Sequence, residues 1–265
     1  AARRPAVTAA PVLSTERLVL RPRQPADIEA VFAAAADPDL VRWLPSWAGA
    51  TMDDIVEHVN RPDRPNGVDW AITVGGNFAG ECWLARIDEL NGSAAAGYWL
   101  APEARGSRYA AEALAALAAW GFAELGLERI ELHAAEGNIA SQRTALRAGF
   151  RREGRQRRAA RCGGETVDLL EFARLRDDAA GPAPRLLPDV DTLTDGAVVL
   201  RPIRAADADA WHAERTDPES LRWTPVPRPA DLATSRRRTA GAQAAWLAGV
   251  EAAFACSTAG STPDR

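Results

Sequence analysis

Alternating apolar and polar positions predict the strands in the first part of the chain, and apolar residues at helical spacing predict its helices. Gly75-Gly76 and Asn91-Gly92 supply the positive-φ residues of tight hairpins, so the strands around them should form an antiparallel meander. A helix should open at Ala26 and close at Asp37-Pro38, and a second one should start near Thr51. The predicted strands cover residues 15–22, 69–74, 78–88 and 94–101.

A short loop joins the last of these strands to an Ala/Leu-rich helical pattern, Ala110 to Leu125. Pro102 ends the strand and Gly106 lies in the loop. The first N–H groups of a helix have no partner within it, and together with the helix dipole they attract anions, usually phosphate. Each exposed contribution is only about 0.3–1 kcal/mol, so several N–H groups must converge with a cation such as Arg105. The stretch therefore predicts a phosphate site.

Two further patterns follow this helix. Residues 129–133 alternate as a strand does, and Asn138 is placed to cap a helix that Gly149 ends. Two more strands are predicted within residues 151–172, which completes a mixed sheet.

Three motifs occur in the same order and spacing as in a known family. They read Pro-Glu-Ala-Arg-Gly-x-x-Tyr-Ala-x-Glu-Ala from Pro102, Leu-Gly-Leu-x-Arg-Ile-Glu-Leu from Leu125, and Asn-x-Ala-Ser-x-Arg-x-x-Leu-x-x-x-Gly-Phe from Asn138. Residues 15–178 thereby resemble the RimJ/RimL-like branch of the GNAT N-acetyltransferases. The resemblance implies an α/β fold, in which helices flank a mixed, mostly antiparallel sheet. That sheet splays open between the strand ending at Ala101 and the strand around Leu132.

The resemblance also implies acetyl-CoA as the acyl donor and assigns residues to it. A backbone N–H near Leu100 would meet the thioester carbonyl. Ser141 would face the CoA sulfur and protonate the leaving thiolate; the alternative is that Ser141 only caps its own helix. The residues implied in cofactor binding are Leu100, Ala101, Arg105, Gly106, Ser107, Arg108, Tyr109, Ala110, Asn138 and Ser141.

Acetyl transfer to an amine also needs a route for the amine's proton. Residues 157–161 of the strand after the Asn138 helix offer no carboxylate, so the candidates for the base are Glu81, Glu103 and His133. An α-amino group with a pKa of about 7.8 is neutral roughly 400-fold more often than a lysine with a pKa of about 10.4, a difference of about 3.5 kcal/mol. If the site lacks a strong base, an acceptor that is already partly neutral reacts more easily. This favours an α-amine acceptor, on a protein N-terminus or a small molecule.

Two features leave alternatives open. Trp43 and Trp47 lie in a predicted aromatic loop where relatives bind the acceptor, but they could equally fill the edge of the core. Arg108 stands where the family has a glycine close to the pyrophosphate, so it either blocks the cofactor or adds a phosphate-binding cation. Because of Arg108 and the uncertain base, the alternative to an active enzyme is a silent GNAT module that binds or senses a ligand.

A repeat follows the resemblance. Val199 to Pro202 copies Val19 to Pro22, and the match continues without gaps at an offset of 180 residues through Arg222-Trp223, which copies Arg42-Trp43. We therefore expect an acetyltransferase domain over 15–178, a linker over 179–188, and the N-terminal half of a second GNAT-like domain over 189–265, without a phosphate loop of its own.

Composition narrows the remaining choices. A net charge of -4 and a pI near 5.6 disfavour a nucleic-acid surface. The three cysteines match no metal or redox spacing, which suggests no metal site and a reducing cytoplasm. No apolar run approaches the length of a membrane span, so no membrane partner is expected. A homodimer is compatible with the resemblance.

Overall fold

The computed structural model describes residues 10–62, 66–184, 187–188, 190–223 and 231–258. These residues fall into two compact units, one ending at Pro184 and one beginning after it. Each unit has its own sheet.

The first unit contains an eight-stranded sheet in the order β1-β2-β3-β4-β5-β6-β8-β7. Only β5 and β6 are parallel; the other neighbouring strands are antiparallel. This confirms the mixed, mostly antiparallel sheet, and the meander follows from Gly75 and Gly76, which have φ of 56° and 86° in the β3–β4 turn. The strands are β1 (Leu13–Ser14), β2 (Leu18–Arg21), β3 (Val68–Val74), β4 (Asn77–Asp88), β5 (Ser93–Leu100), β6 (Arg129–Ala135), β7 (Arg151–Cys162) and β8 (Glu165–Leu175).

The described residues of this unit form five α-helices, three of them between β2 and β3. Asp37 caps α2, Thr51 and Asp54 form a capping box at α3, and Asn138 caps α5 by accepting from the N–H of Ser141 at 3.0 Å. The helices are α1 (Ile28–Ala35), α2 (Pro38–Trp43), α3 (Met52–Asn60), α4 (Tyr109–Glu124) and α5 (Ile139–Arg147).

The prediction of a loop over residues 43–47 was wrong. Trp43 ends α2, and Pro45–Trp47 forms a 3-10 turn. Asp37 supplies the cap of α2, while Pro38 and Pro45 occupy first helical positions, where the missing N–H costs nothing.

The sheet opens between β5 and β6, as the resemblance implies. The two strands are paired only from Ser93 to Ala95, with Arg129 to Glu131, and they separate beyond those residues. On one face α4 packs so closely that a Cβ on Gly121 would lie 3.2 Å from Leu84 and 3.3 Å from Ile130. On the other face, residues of α1, α2 and α3 form a buried cluster that includes Trp99 of β5.

The second unit repeats the element order of residues 13–74. It contains β9 (Leu193–Thr194), β10 (Val198–Pro202), α6 (Ala208–Thr216), α7 (Pro218–Trp223), α8 (Leu232–Leu247) and β11 (Phe254–Thr258), with the sheet order β11-β10-β9. A two-bond ion pair is repeated as well: Arg21 contacts Asp27 at 2.7 and 2.8 Å, and Arg201 contacts Asp207 at 2.6 and 2.7 Å. Residues 224–230 lie outside the described ranges.

Candidate active site

A cavity of about 350 Å³ lies in the first unit, between β4 and β5 on one side and α3 and the 3-10 turn after α2 on the other. Its shape is set largely by tryptophans: Trp47 makes edge-to-face contacts with Trp99 at 5.1 Å and with His58 at 5.2 Å between ring centroids. Its walls include Trp47, Asp54, His58, Glu81, Trp83 and Trp99.

Glu81 is the buried carboxylate of this pocket, with a side chain only 5% exposed. It accepts a hydrogen bond from Nε1 of Trp99, its partner across the β4–β5 ladder, at 3.1 Å. Nε2 of His58 lies 2.9 and 3.0 Å from its two oxygens. Because a carboxylate only accepts, Nε2 carries the hydrogen in this contact. A carboxylate has about four lone-pair positions, so capacity remains for an amine in the pocket.

His58 continues into a chain of buried polar groups. Nη1 of Arg23 donates to the His58 carbonyl at 2.7 Å and lies 3.4 Å from Nε2. Arg23 in turn is 3.7 Å from Asp69, and both of these side chains are 4% exposed. Arg23 therefore holds the backbone of His58 at the end of α3, while Glu81 binds its imidazole. His58 was not predicted from the sequence, because its only signal there is a polar residue in the last turn of an amphipathic helix.

The loop before α4 follows a glycine-like path at Arg108. This residue is the N-cap of α4 and has φ of 65° and ψ of 14°, in the left-handed region. Gly106 also has a positive φ, of 82°. The first N–H groups of the 16-residue helix α4 point toward this loop, as an anion site requires.

Arg17 holds the loop from the β1–β2 connection. Its Nη1 donates to the Ser107 carbonyl at 3.0 Å, and its Nε donates to Glu112 of α4 at 2.7 Å. Its guanidinium lies 5.0 Å from the ring centre of Tyr109. Burial acts to raise the pKa of the Glu112 carboxyl, but hydrogen bonds from Thr15 and Arg17 outweigh it and leave that pKa below its usual value. No motif or pattern in the sequence predicts this role for Arg17.

Arg105 does not lie free in the loop. It is ion-paired with Asp37, the cap of α2, and its Nε donates to the Leu100 carbonyl at 3.2 Å. The N–H of Ala101 donates to the Ala79 carbonyl at 3.0 Å, which leaves β5 tied to β4 at its end. Ala110 is buried in the first turn of α4.

Ser141 reaches across to β5. Its hydroxyl and that of Thr144 are hydrogen-bonded to Tyr98, which lies on the part of β5 that has separated from β6. Burial raises the pKa of the Tyr98 phenol, and these two hydrogen bonds offset that effect in part. The capping side chain of α5 is Asn138 and not Ser141. Tyr98 thus places a second hydroxyl beside that of Ser141, and it was not predicted from the sequence.

The other predicted residues lie apart from the pocket. Glu103 is exposed in the 3-10 turn Pro102–Ala104. His133 lies on β6 opposite Glu171 of β8. Trp43 stacks with Arg42 at 4.8 Å and does not line the pocket, whereas Trp47 does.

Within the described ranges, no group of three or more His, Cys, Asp or Glu residues is placed to hold a metal ion. No helix in the described part of the chain is long and apolar enough to cross a membrane.

Comparison with known proteins places this geometry in a family. The family described as "Acetyltransferase (GNAT) domain" matches residues 17–151. YdaF of Bacillus subtilis, provisionally named a ribosomal N-acetyltransferase, is 29% identical over 174 residues, which is 63% of this chain and 95% of YdaF. A GNAT-family acetyltransferase structure from Bacillus anthracis is 26% identical, with a TM-score of 0.57 over 63% of this chain and 99% of that one.

The fold is also that of RimL, a ribosomal-protein α-N-acetyltransferase whose structure contains coenzyme A. That structure is 21% identical and has a TM-score of 0.56 over 64% of this chain and 100% of its own. Together with the splayed sheet and the loop before α4, these similarities show that the chain belongs to the GNAT family of acetyltransferases.

Proposed function

We propose that the first unit transfers an acetyl group from acetyl-CoA to an α-amino group, on a protein N-terminus or a small molecule, with Glu81 as the general base. The observation that carries the proposal is the placement of Glu81, a buried carboxylate held by His58 and Trp99 in an aromatic pocket. The names of YdaF and RimL, which refer to ribosomal proteins, support a protein acceptor.

Acetyl-CoA would supply the activated acetyl thioester. The residues present fit it: the amides at the start of α4, the left-handed Arg108 and Gly106 suit a pyrophosphate, and the opening between β5 and β6 suits an acyl chain. The backbone near Leu100 borders that opening and would donate to the thioester carbonyl. Arg108 adopts the backbone conformation expected of the family's glycine, which weakens the case for a silent module.

The acceptor would react as the neutral amine: its nitrogen attacks the acetyl carbon, and Glu81 takes one proton from that nitrogen. A C–N bond forms, the C–S bond breaks, and the departing sulfur takes a proton from the hydroxyl pair of Ser141 and Tyr98. The hydroxyl pair then regains a proton from water, and Glu81 loses its proton to water, so the net reaction releases no charge. Nε2 of His58 already carries the hydrogen that it donates to Glu81, so His58 orients the carboxylate and does not receive its proton. An α-amine is a better acceptor than lysine because roughly 400-fold more of it is in the neutral form that reacts.

The test is release of free CoA thiol from acetyl-CoA in the presence of peptides with a free N-terminus, with N-terminally blocked peptides containing lysine as the comparison. Exposed Cys256 adds a background of thiol, which reactions without acceptor correct. Glu81→Gln keeps the shape of the side chain and should lower kcat/KM by about 100-fold or more. The matched control is Glu103→Gln, which removes an exposed carboxylate outside the pocket. Equal activity of Glu81→Gln and the wild type would refute the role of Glu81.

The domain assignment is part of the proposal. Residues 15–178 would form the acetyltransferase domain, 179–188 the linker, and the residues from 189 a second GNAT-like repeat. The shared element order and the repeated Arg–Asp pair support it. A fragment ending at Pro184 should then unfold cooperatively and keep thiol release; loss of either would argue against an independent catalytic domain.

A further inference from the structure

β7 concentrates positive charge in an otherwise acidic chain. Its 12 residues include six arginines and one glutamate, while the whole chain has a net charge of -4. Two of the arginines are compensated: Arg151 is 2.8 Å from Asp178, and Arg155 contacts Asp168 at 2.7 Å and Glu136 at 3.1 Å.

The other four, Arg152, Arg157, Arg158 and Arg161, are exposed, and we call them the arginine strip. Within the described ranges none of the four makes an ion pair within 4 Å, although the charge of Arg157 helps to lower the pKa of Asp168.

Edge protection accounts for only part of this charge. β7 is the last strand of the sheet, and charge at such an edge prevents pairing with other chains. β7 already has a bulge between Gln156 and Ala160, where Arg158 has φ of 53°, and a bulge disrupts such pairing by itself. Four exposed arginines on one strand, none of them in an ion pair within 4 Å in the described ranges, are better suited to an anionic partner.

The strip leads toward the pocket. β7 ends at Cys162, and in the next turn a Cβ on Gly163 would lie 3.4 Å from Cγ of Arg42 in α2. α2 runs directly into Leu44, which lines the pocket that contains Glu81. The hairpin of β7 and β8 therefore touches the helix that forms one rim of the acceptor site.

We propose that the arginine strip binds an acidic segment of a protein acceptor whose N-terminal amine enters the pocket. This inference rests on the proposed function and narrows its acceptor to polypeptides with acidic residues downstream of the N-terminus. β7 is about 40 Å long at roughly 3.3 Å per residue, so only an acceptor that is itself a chain of several residues can contact the strip along its length.

The experiment compares two synthetic peptides of about 16 residues, which span at most about 55 Å. Both begin with the same three uncharged residues and a free amine; one continues with alternating glutamates and the other with glutamines at the same positions. We expect kcat/KM for the glutamate peptide to be about tenfold higher at low salt, and the advantage to shrink at high salt, where exposed charges are screened.

A variant with Arg152, Arg157 and Arg161 each replaced by glutamine should lose this advantage while keeping its rate with the glutamine peptide. The matched control replaces Arg86, Arg222 and Arg237, three exposed arginines outside β7, and should keep the advantage. Because the two peptides are also compared on the unaltered protein, the test does not depend on the folding of any variant.

Three outcomes would overturn the inference. Equal kcat/KM for the two peptides would exclude an acidic docking site but leave the acetyltransferase proposal intact, whereas no transfer to any α-amine would reject the proposed function itself. Retention of the advantage by the β7 variant would place the acidic site elsewhere. Binding of a labelled single-stranded RNA to the strip, with displacement of the glutamate peptide, would also contradict the inference. Fluorescence anisotropy measures this binding.

Discussion

Arg105 is ion-paired with Asp37, so the loop before α4 is joined to the N-terminus of α2. Asp37 accepts hydrogen bonds from the N–H groups of Asp39 and Leu40 at 3.3 and 3.1 Å, and the same carboxylate holds the guanidinium expected to meet the CoA phosphates. One ion pair therefore joins the loop proposed to bind CoA to the helix that leads to the proposed acceptor pocket.

Replacing Asp37 with asparagine should tighten CoA binding. Asparagine still caps α2 but no longer attracts Arg105, which becomes available to a phosphate at the start of α4. We expect the Kd for CoA, measured by calorimetry, to fall about two- to fivefold. The gain should disappear in a double variant that also carries Arg105→Gln, and a gain that persists there would show that Arg105 is not its source.

Arg108→Gly should stabilise the fold relative to Arg108→Ala. Both variants remove the guanidinium, but only glycine adopts φ of 65° without a steric cost, which is about 1 kcal/mol for other residues. Urea unfolding of the two variants measures this difference. Equal stability would mean that the loop leaves the left-handed region when Arg108 is removed.

The same Arg108→Gly variant tests the role of the side chain toward CoA. We expect tighter CoA binding at high salt and a smaller change at low salt, where the long-range attraction of the cation compensates for its bulk. CoA is titrated into both proteins at two ionic strengths. Weaker binding of the variant at both would make Arg108 a genuine pyrophosphate ligand.

Ser141→Ala should lower kcat by about 10- to 100-fold with little change in the KM for acetyl-CoA, because protonation of the thiolate matters in the transition state. Tyr98→Phe removes the hydroxyl bonded to Ser141 and should show the same pattern. Thr144 supplies the second hydroxyl that is hydrogen-bonded to Tyr98. Steady-state kinetics of Ser141→Ala, Tyr98→Phe and Thr144→Ala therefore separate the roles of the three hydroxyls. A loss confined to Thr144→Ala would contradict the assignment of Ser141.

Stability should fall in acid partly through Glu112 and Asp37. Both carboxyls have a lowered pKa in the folded protein; at Asp37 burial opposes this, and the bonds to Arg105 outweigh it. A lowered folded pKa stabilises the protein above the ordinary carboxyl value of about 4, and that stabilisation is lost as the pH falls through the folded value.

Glu112→Gln should therefore reduce the drop in unfolding free energy between neutral pH and about pH 3 by about 1 kcal/mol. Glu124→Gln, at the exposed end of the same helix, is the control and should leave the drop unchanged. Urea titrations at several pH values provide the comparison. An identical pH profile for Glu112→Gln and the wild type would remove Glu112 from the acid response.

Local patterns in the sequence determined the family, the meander, the loop before α4 and the cap of α5, since each depends on residues close together along the chain. The glycine pairs at the hairpins and Asn138 before its helix are signals of this kind. The repeated motif from Val199 likewise indicated that the elements of residues 13–74 would recur.

The tertiary structure alone decided which side chains meet. Glu81, Glu103 and His133 were equivalent candidates in the sequence, and only the packing of α3 against β4 places His58 and Trp99 on Glu81. Arg17 and Tyr98 gained their roles from contacts spanning more than 40 residues of sequence. Such contacts depend on the register of strands and the facing of helices, which are fixed by the burial of the whole core and not by any local segment.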